Sequence, residues 1–168
     1  MGNKLSNNII KTRKSKNEVL EIIRAKTDNR KIETMFSLES GLEKQSTDKY
    51  FYGKVEGDSF ELCRIIKYRN SFCPILFGKV EENGNETSIN INTRLDKNVK
   101  IFVTIWFAIV VIMCIAFPFF NFKAYKDIPF FVNYIPYYML VCGGIALSII
   151  YNIEKNIAIK IFKELLQS

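Results

Sequence analysis

Two long uncharged stretches constrain this chain more than anything else in it. "IFVTIWFAIVVIMCIAFPFF", Ile101 to Phe120, and "IPFFVNYIPYYMLVCGGIALSII", Ile128 to Ile150, carry no Asp, Glu, Lys or Arg. Helical residues rise about 1.5 Å each, so twenty of them span roughly 30 Å, one hydrocarbon thickness. A pair of buried core helices is the competing reading. It fails because so small a chain has nothing to wrap around helices that are apolar on all sides. The connection "NFKAYKD" is too short for a domain, so the two spans are expected to form a hairpin, with helices over 101–121 and 128–151 joined by a loop at 122–127.

The rest of the chain has a different composition. Residues 1–100 hold 19 of the 24 Lys and Arg and 14 of the 17 acids, whereas 101–153 hold two Lys and one Asp. Arg94, Lys97 and Lys100 precede the first span, and Lys155, Lys160 and Lys163 follow the second. The loop has only Lys123 and Lys126. The positive-inside rule then predicts a multi-pass protein of the cell inner membrane with both termini cytoplasmic. The first 25 residues lack an apolar core, so no cleavable signal is expected. Cys63, Cys73, Cys114 and Cys142 are expected as free thiols in a reducing compartment, with a Cys63–Cys73 bridge as the alternative.

Along the polar part, residues 1–16 read as a flexible basic tail of a cytoplasmic α+β module over 17–100. "NEVLEIIRAK" reads as a short helix capped by Ser15 or Asn17. Residues 27–48 are ambiguous between strand and helical turn. From Asp48 the period becomes two, which predicts strands at 49–56, 59–67, 73–82 and 85–94 in an antiparallel meander. The Gly57-Asp58 and Asn83-Gly84 pairs mark hairpin turns. "YRNS" reads as the connection before Pro74, which lacks an N–H and suits the start of a strand. Phe72 is expected to be a buried anchor. Residues 154–168 read as an amphipathic helix with a stripe of Ile157, Ile161, Phe162 and Leu165, which is expected to pack on the sheet, the alternative being that it lies on the lipid surface. The hairpin would then be an insertion within one module.

The run "FYGKVEGDSFELCRIIKYRNSFCPILFGKV" resembles a group of small bacterial two-span membrane proteins with a Y-R-N-S-F-x-P-x-x-x-G motif. The matching residues include Tyr52, Gly53, Val55, Phe60, Arg64, Tyr68, Arg69, Asn70, Ser71, Phe72, Pro74 and Gly78. The chain is also loosely similar to YcxB-like membrane proteins, which implies a module like a pleckstrin-homology fold. Neither resemblance implies a reaction.

Several motifs read as bland. "MGNKLS" fits the myristoylation pattern at Gly2 and Ser6, but two spans already anchor the chain. Asn85-Glu86-Thr87 fits a glycosylation acceptor but falls on the side expected to be cytoplasmic. The net charge of +7 is dispersed, which suits anionic lipid better than nucleic acid, so no nucleic-acid partner is expected. Asn133, Pro136, Gly143 and Gly144 interrupt the second span, and a kink at Pro136 with close packing at the glycines is expected. There is no His, and no metal, cofactor or catalytic motif stands out.

The expected function is therefore non-enzymatic. A membrane-held module would bind a protein partner or lipid headgroups, through Arg64, Arg69, Lys97 and Lys100, with Gly143 and Gly144 packing helices or self-associating. The alternatives are an oligomerising membrane-perturbing effector or toxin and, third, a small transporter subunit. The charge split makes one direct prediction. A reporter active only in the cytoplasm should work when fused after Ser168, and one active only outside should work when inserted near Ala124. The reverse pattern would overturn the orientation.

Overall fold

The computed structural model describes residues 8–29, 48–66, 70–84, 86–119, 132 and 134–167. They form an α+β structure with a six-stranded mixed sheet and three α-helices. In chain order the elements are β1 (Asn8–Thr12), α1 (Lys16–Ala25), β2 (Thr27–Asp28), β3 (Phe51–Glu56), β4 (Ser59–Arg64), β5 (Ile75–Asn83), β6 (Glu86–Arg94), α2 (Lys97–Ala116) and α3 (Ile135–Gln167). The chain divides into two compact units. One is the sheet unit, residues 1–96 with 153–168; the other comprises residues 97–152.

The sheet order is β1-β6-β5-β4-β3-β2. Strands β3 to β6 form the antiparallel meander, because alternating residues from Phe51 onward give one apolar face. Gly57 has φ +55° while no non-glycine among the described residues has positive φ, so the Gly57-Asp58 turn follows the type II′ pattern. The second hairpin is shifted by one residue from the sequence expectation. Asn83 pairs with Glu86 as the last strand position, so the turn begins at Gly84, whose φ is +63°.

Two strands lie outside the expected meander. β1 falls in the stretch read as a flexible tail. It pairs antiparallel with β6, placing Ile10 opposite Ile89 and against the core, while Ile9 stays 59% exposed. β2 adds two residues parallel to β3 at the other edge. The sheet is therefore mixed and six-stranded rather than a four-stranded meander. Residues 30–47, including the ambiguous Met35, Phe36, Leu38 and Leu42, lie outside the described residues.

Helix α1 starts at Ser15, whose Oγ accepts from the Glu18 N–H at 3.3 Å. It buries Val19, Leu20 and Ile23 on the sheet core. The last part of α3 covers the same core with Ala158, Ile159, Phe162 and Leu166. Phe162 is fully buried, stacked on Phe60 at 5.2 Å and edge-on to Phe51 at 6.1 Å. The buried stripe of α3 runs through positions 154, 158, 162 and 165–166, so it is rotated from the expected one; Ile157 is 37% exposed. Phe72 also differs from expectation. It is only half-buried and outside the core cluster, whereas its neighbours Cys73 and Pro74 are fully enclosed.

In the other unit, α2 and α3 are long and apolar enough to cross a membrane, and only 11% and 6% of their apolar windows are covered by protein. α3 is one helix of 33 residues, about 50 Å long, with no break between the expected second span and the C-terminal amphipathic segment. Pro136 lies in its first turn, where a missing N–H costs nothing, so it does not kink the helix. Loop 122–127 and Asn133 lie outside the described residues.

Phe162 dominates the helix side of the core. Phe162→Ala should cost about 3–5 kcal/mol, the usual range for a buried Phe. Phe72→Ala should cost clearly less. Denaturant unfolding of the detergent-solubilised protein checks both, and equal losses would contradict this core assignment.

Candidate functional site

β4 ends at Arg64, on the face that α3 covers, because even-numbered β4 residues point to the core. The first inward residue of the sheet-covering part of α3 is Glu154, four residues before Ala158 and eight before Phe162. A carboxylate there must lose water. Its side chain is 8% exposed and that of Arg64 is 12% exposed. Arg64 Nη2 donates to Glu154 Oε2 at 2.5 Å, and Asn70 Nδ2 donates to Glu154 Oε1 at 2.8 Å. One carboxylate thus holds both the end of β4 and the β4–β5 connection to α3. Such charge-assisted bonds are shorter and stronger than neutral ones.

Asn70 has a second role. Its Oδ1 accepts from the Phe72 N–H at 2.9 Å, an Asx turn, and its own carbonyl accepts from the Cys73 N–H at 3.3 Å. The asparagine of "YRNS" therefore folds the bend with its oxygens and ties it to α3 with its amide nitrogen. Cys73 follows directly. Its Sγ lies 3.6 Å from Cys63 Sγ, and both cysteines are free and buried. The Cys63 S–H donates to Cys73, which pushes Cys63 up and Cys73 down from the ordinary thiol value; burial opposes the fall at Cys73 and the nearby Arg64 charge assists it.

The opposite face of the sheet is apolar and buried at one end, where Tyr52, Cys63 and Ile75 line up, and polar at the other. A cavity of about 420 Å³ lies over it, with Glu61, Phe77, Lys79, Asn90 and Asn92 among its lining residues. Arg94 spans part of this face, paired with Glu61 at 2.6 Å and lying over the Phe77 ring. The carboxamide oxygens of Asn90 and Asn92 are buried without a hydrogen-bond partner among the described residues.

The expected contact residues separate. Arg64 was expected to meet lipid or a partner; its guanidinium is instead committed to Glu154 inside the sheet unit. Arg69 lies outside the described residues. Lys97 and Lys100 are exposed in the first turn of α2. Gly143 packs within the chain, since a Cβ there would come within 2.6 Å of the Trp106 ring, while one at Gly144 would make only ordinary contact with Phe107 at 3.8 Å. The Tyr137 hydroxyl donates to the Cys114 carbonyl at 2.8 Å. These contacts pair 106 with 143 and 114 with 137, so the two helices run antiparallel.

Sequence reasoning missed Glu154 because an acid in an amphipathic helix reads as solvated. Its spacing of four and eight residues from Ala158 and Phe162 was the available signal. Among the described residues no three His, Cys, Asp or Glu side chains are grouped to hold a metal ion. Comparison of the chain with protein-family models, with curated proteins and with solved structures finds no match.

The carboxylate bridge makes a quantitative prediction. Glu154→Leu strands a buried guanidinium and should cost about 3–5 kcal/mol, and adding Arg64→Met should recover much of the loss. Asn70→Ala should cost about 1–3 kcal/mol. Because Asn70 and Glu154 share a bond, their double mutant should fall short of additivity by about 0.5–3 kcal/mol. Denaturant titration measures the cycle, and strict additivity would show that the bridge is not formed.

Proposed function

We propose that the chain is a non-enzymatic integral membrane protein, with α2 and the first part of α3 as a two-span hairpin. The observation that carries this reading is the uncovered apolar surface of those helices. Ile105, Ile112, Ile145 and Ile149 are each more than half exposed. In water such a surface would associate without limit, whereas in lipid it is satisfied. The helical backbone fulfils its own hydrogen bonds, which spanning requires.

The sheet unit is the binding module of this proposal, facing the cytoplasm of an inner membrane with both termini on that side. Lys97 and Lys100 sit at the N-terminal end of α2, where the helix dipole disfavours cations. Their placement therefore does not serve the helix. It suits anionic lipid headgroups, with about 1 kcal/mol for each basic residue near the surface. The resemblance to small two-span bacterial membrane proteins agrees with this reading, and a protein partner for the module remains part of it.

The reading is tested by extraction. The full chain should stay in the membrane pellet through an alkaline wash and be released only by detergent. Release by alkali alone would overturn it. Vesicles carrying the chain should retain a small entrapped dye, and rapid leakage would favour the membrane-perturbing alternative.

A further inference from the structure

The cysteine pair is not used by the anchoring role and lies wholly within the sheet unit. Cys63 belongs to β4 and Cys73 to the bend before β5, with Sγ atoms already in contact at 3.6 Å. Two sulfurs with no third ligand among the described residues do not make a tetrahedral metal site. Dithiol–disulfide chemistry is open to them. We propose that Cys63 and Cys73 form an oxidation site that closes to an intramolecular disulfide on reaction with hydrogen peroxide.

The geometry assigns the roles. Cys73 is the sulfur that receives the Cys63 S–H at 3.6 Å, so Cys63 keeps its proton and Cys73 is the attacking thiol; the Arg64 charge favours its thiolate, while burial and Glu154 oppose it. Its thiolate attacks one peroxide oxygen, the O–O bond breaks, and hydroxide leaves with a proton as water. Cys73 is then a sulfenic acid. Cys63 attacks that sulfur, and the sulfenic hydroxyl departs with the Cys63 proton as a second water. Two thiols lose two protons and two electrons, and one hydrogen peroxide becomes two waters. Bond formation needs the sulfurs to close from 3.6 Å to about 2.05 Å. Both cysteines are at most 1% exposed, which selects an oxidant little larger than water over bulky disulfides.

The bond would close a ring around residues 63–73, which contains Asn70. The β4–β5 connection would then be held covalently as well as through Glu154. Oxidation should therefore make the sheet unit less dependent on the carboxylate bridge. In a reducing compartment such a bond is transient, as redox-responsive cytosolic disulfides are.

The test uses the full reduced chain in detergent, exposed to hydrogen peroxide and then denatured. The thiol count should fall from four to two. The intact mass should fall by two hydrogens, and a tryptic digest should link the peptide ending at Arg64 to the one containing Cys73. Cys63→Ser should leave a sulfenic acid at Cys73 that dimedone traps, whereas Cys73→Ser should leave none at Cys63. Asn70→Ala should lower the melting temperature less in oxidised than in reduced protein. The inference is overturned if Cys63 and Cys73 both stay alkylatable under peroxide that oxidises an unfolded control, or if the link joins Cys114 or Cys142. Should the serine variants fail to fold, the wild-type mass and digest still decide. None of these readouts depends on membrane insertion, so the anchoring proposal stands or falls separately.

Discussion

A single buried carboxylate organises the sheet unit. Glu154 accepts from Arg64 on β4 and from Asn70 in the β4–β5 connection. Removing an ion from water is expensive, and the cost is offset only when its oxygens are met with good geometry. Here both are. Because a helical side chain lies on one face, fixing Glu154 inward also fixes the rotation of α3. Positions four and eight residues later then face the sheet, and Phe162 arrives against Phe60 and Phe51. The specificity of the helix docking is thus set by a polar contact, and its bulk by aromatic burial.

The unit is assembled from two distant pieces of chain. Residues 97–152 intervene between β6 and the covering part of α3. The apolar face of the sheet cannot be closed until that whole insertion has been made. Long-range closure of this kind slows folding, because the loop entropy is spent before the contacts form. Sheet edges exposed in the interval would be open to wrong pairing. β1 covers the β6 edge and β2 the β3 edge, and Lys11 on β1 is exposed as charged edge residues commonly are.

Much of the meander is legible in the sequence, because apolar residues recur at every second position along β4 to β6, although Tyr52, Cys63 and Ile75 are buried on the other face. The two long apolar helices are legible too, because an uncharged run of about twenty residues has no polar face to offer water. β1 is not, because "NIIKT" carries two adjacent isoleucines and its strand state comes from pairing with β6. The turn at Gly84 is displaced by one residue because Asn83 and Glu86 complete the ladder. Phe72 misleads because aromatic character suggests burial, while the smaller Cys73 and Pro74 fill the enclosed space. The least legible part is the site. Arg64 looks like a surface cation until its acid partner, 90 residues away, is placed beside it. Cys63 and Cys73 lack C-x-x-C spacing and meet because the Asn70 bend returns the chain to the end of β4.

The central claim is that the C-terminal part of α3 completes the sheet unit. Amide hydrogen exchange of the full chain and of a chain ending at Asn152, both in detergent, tests it most directly. The account predicts that β4 and β5 amides lose their protection in the shortened chain while the amides of α2 keep theirs. Unchanged protection in β4 and β5 would contradict it, and would mean that the sheet folds without its helix.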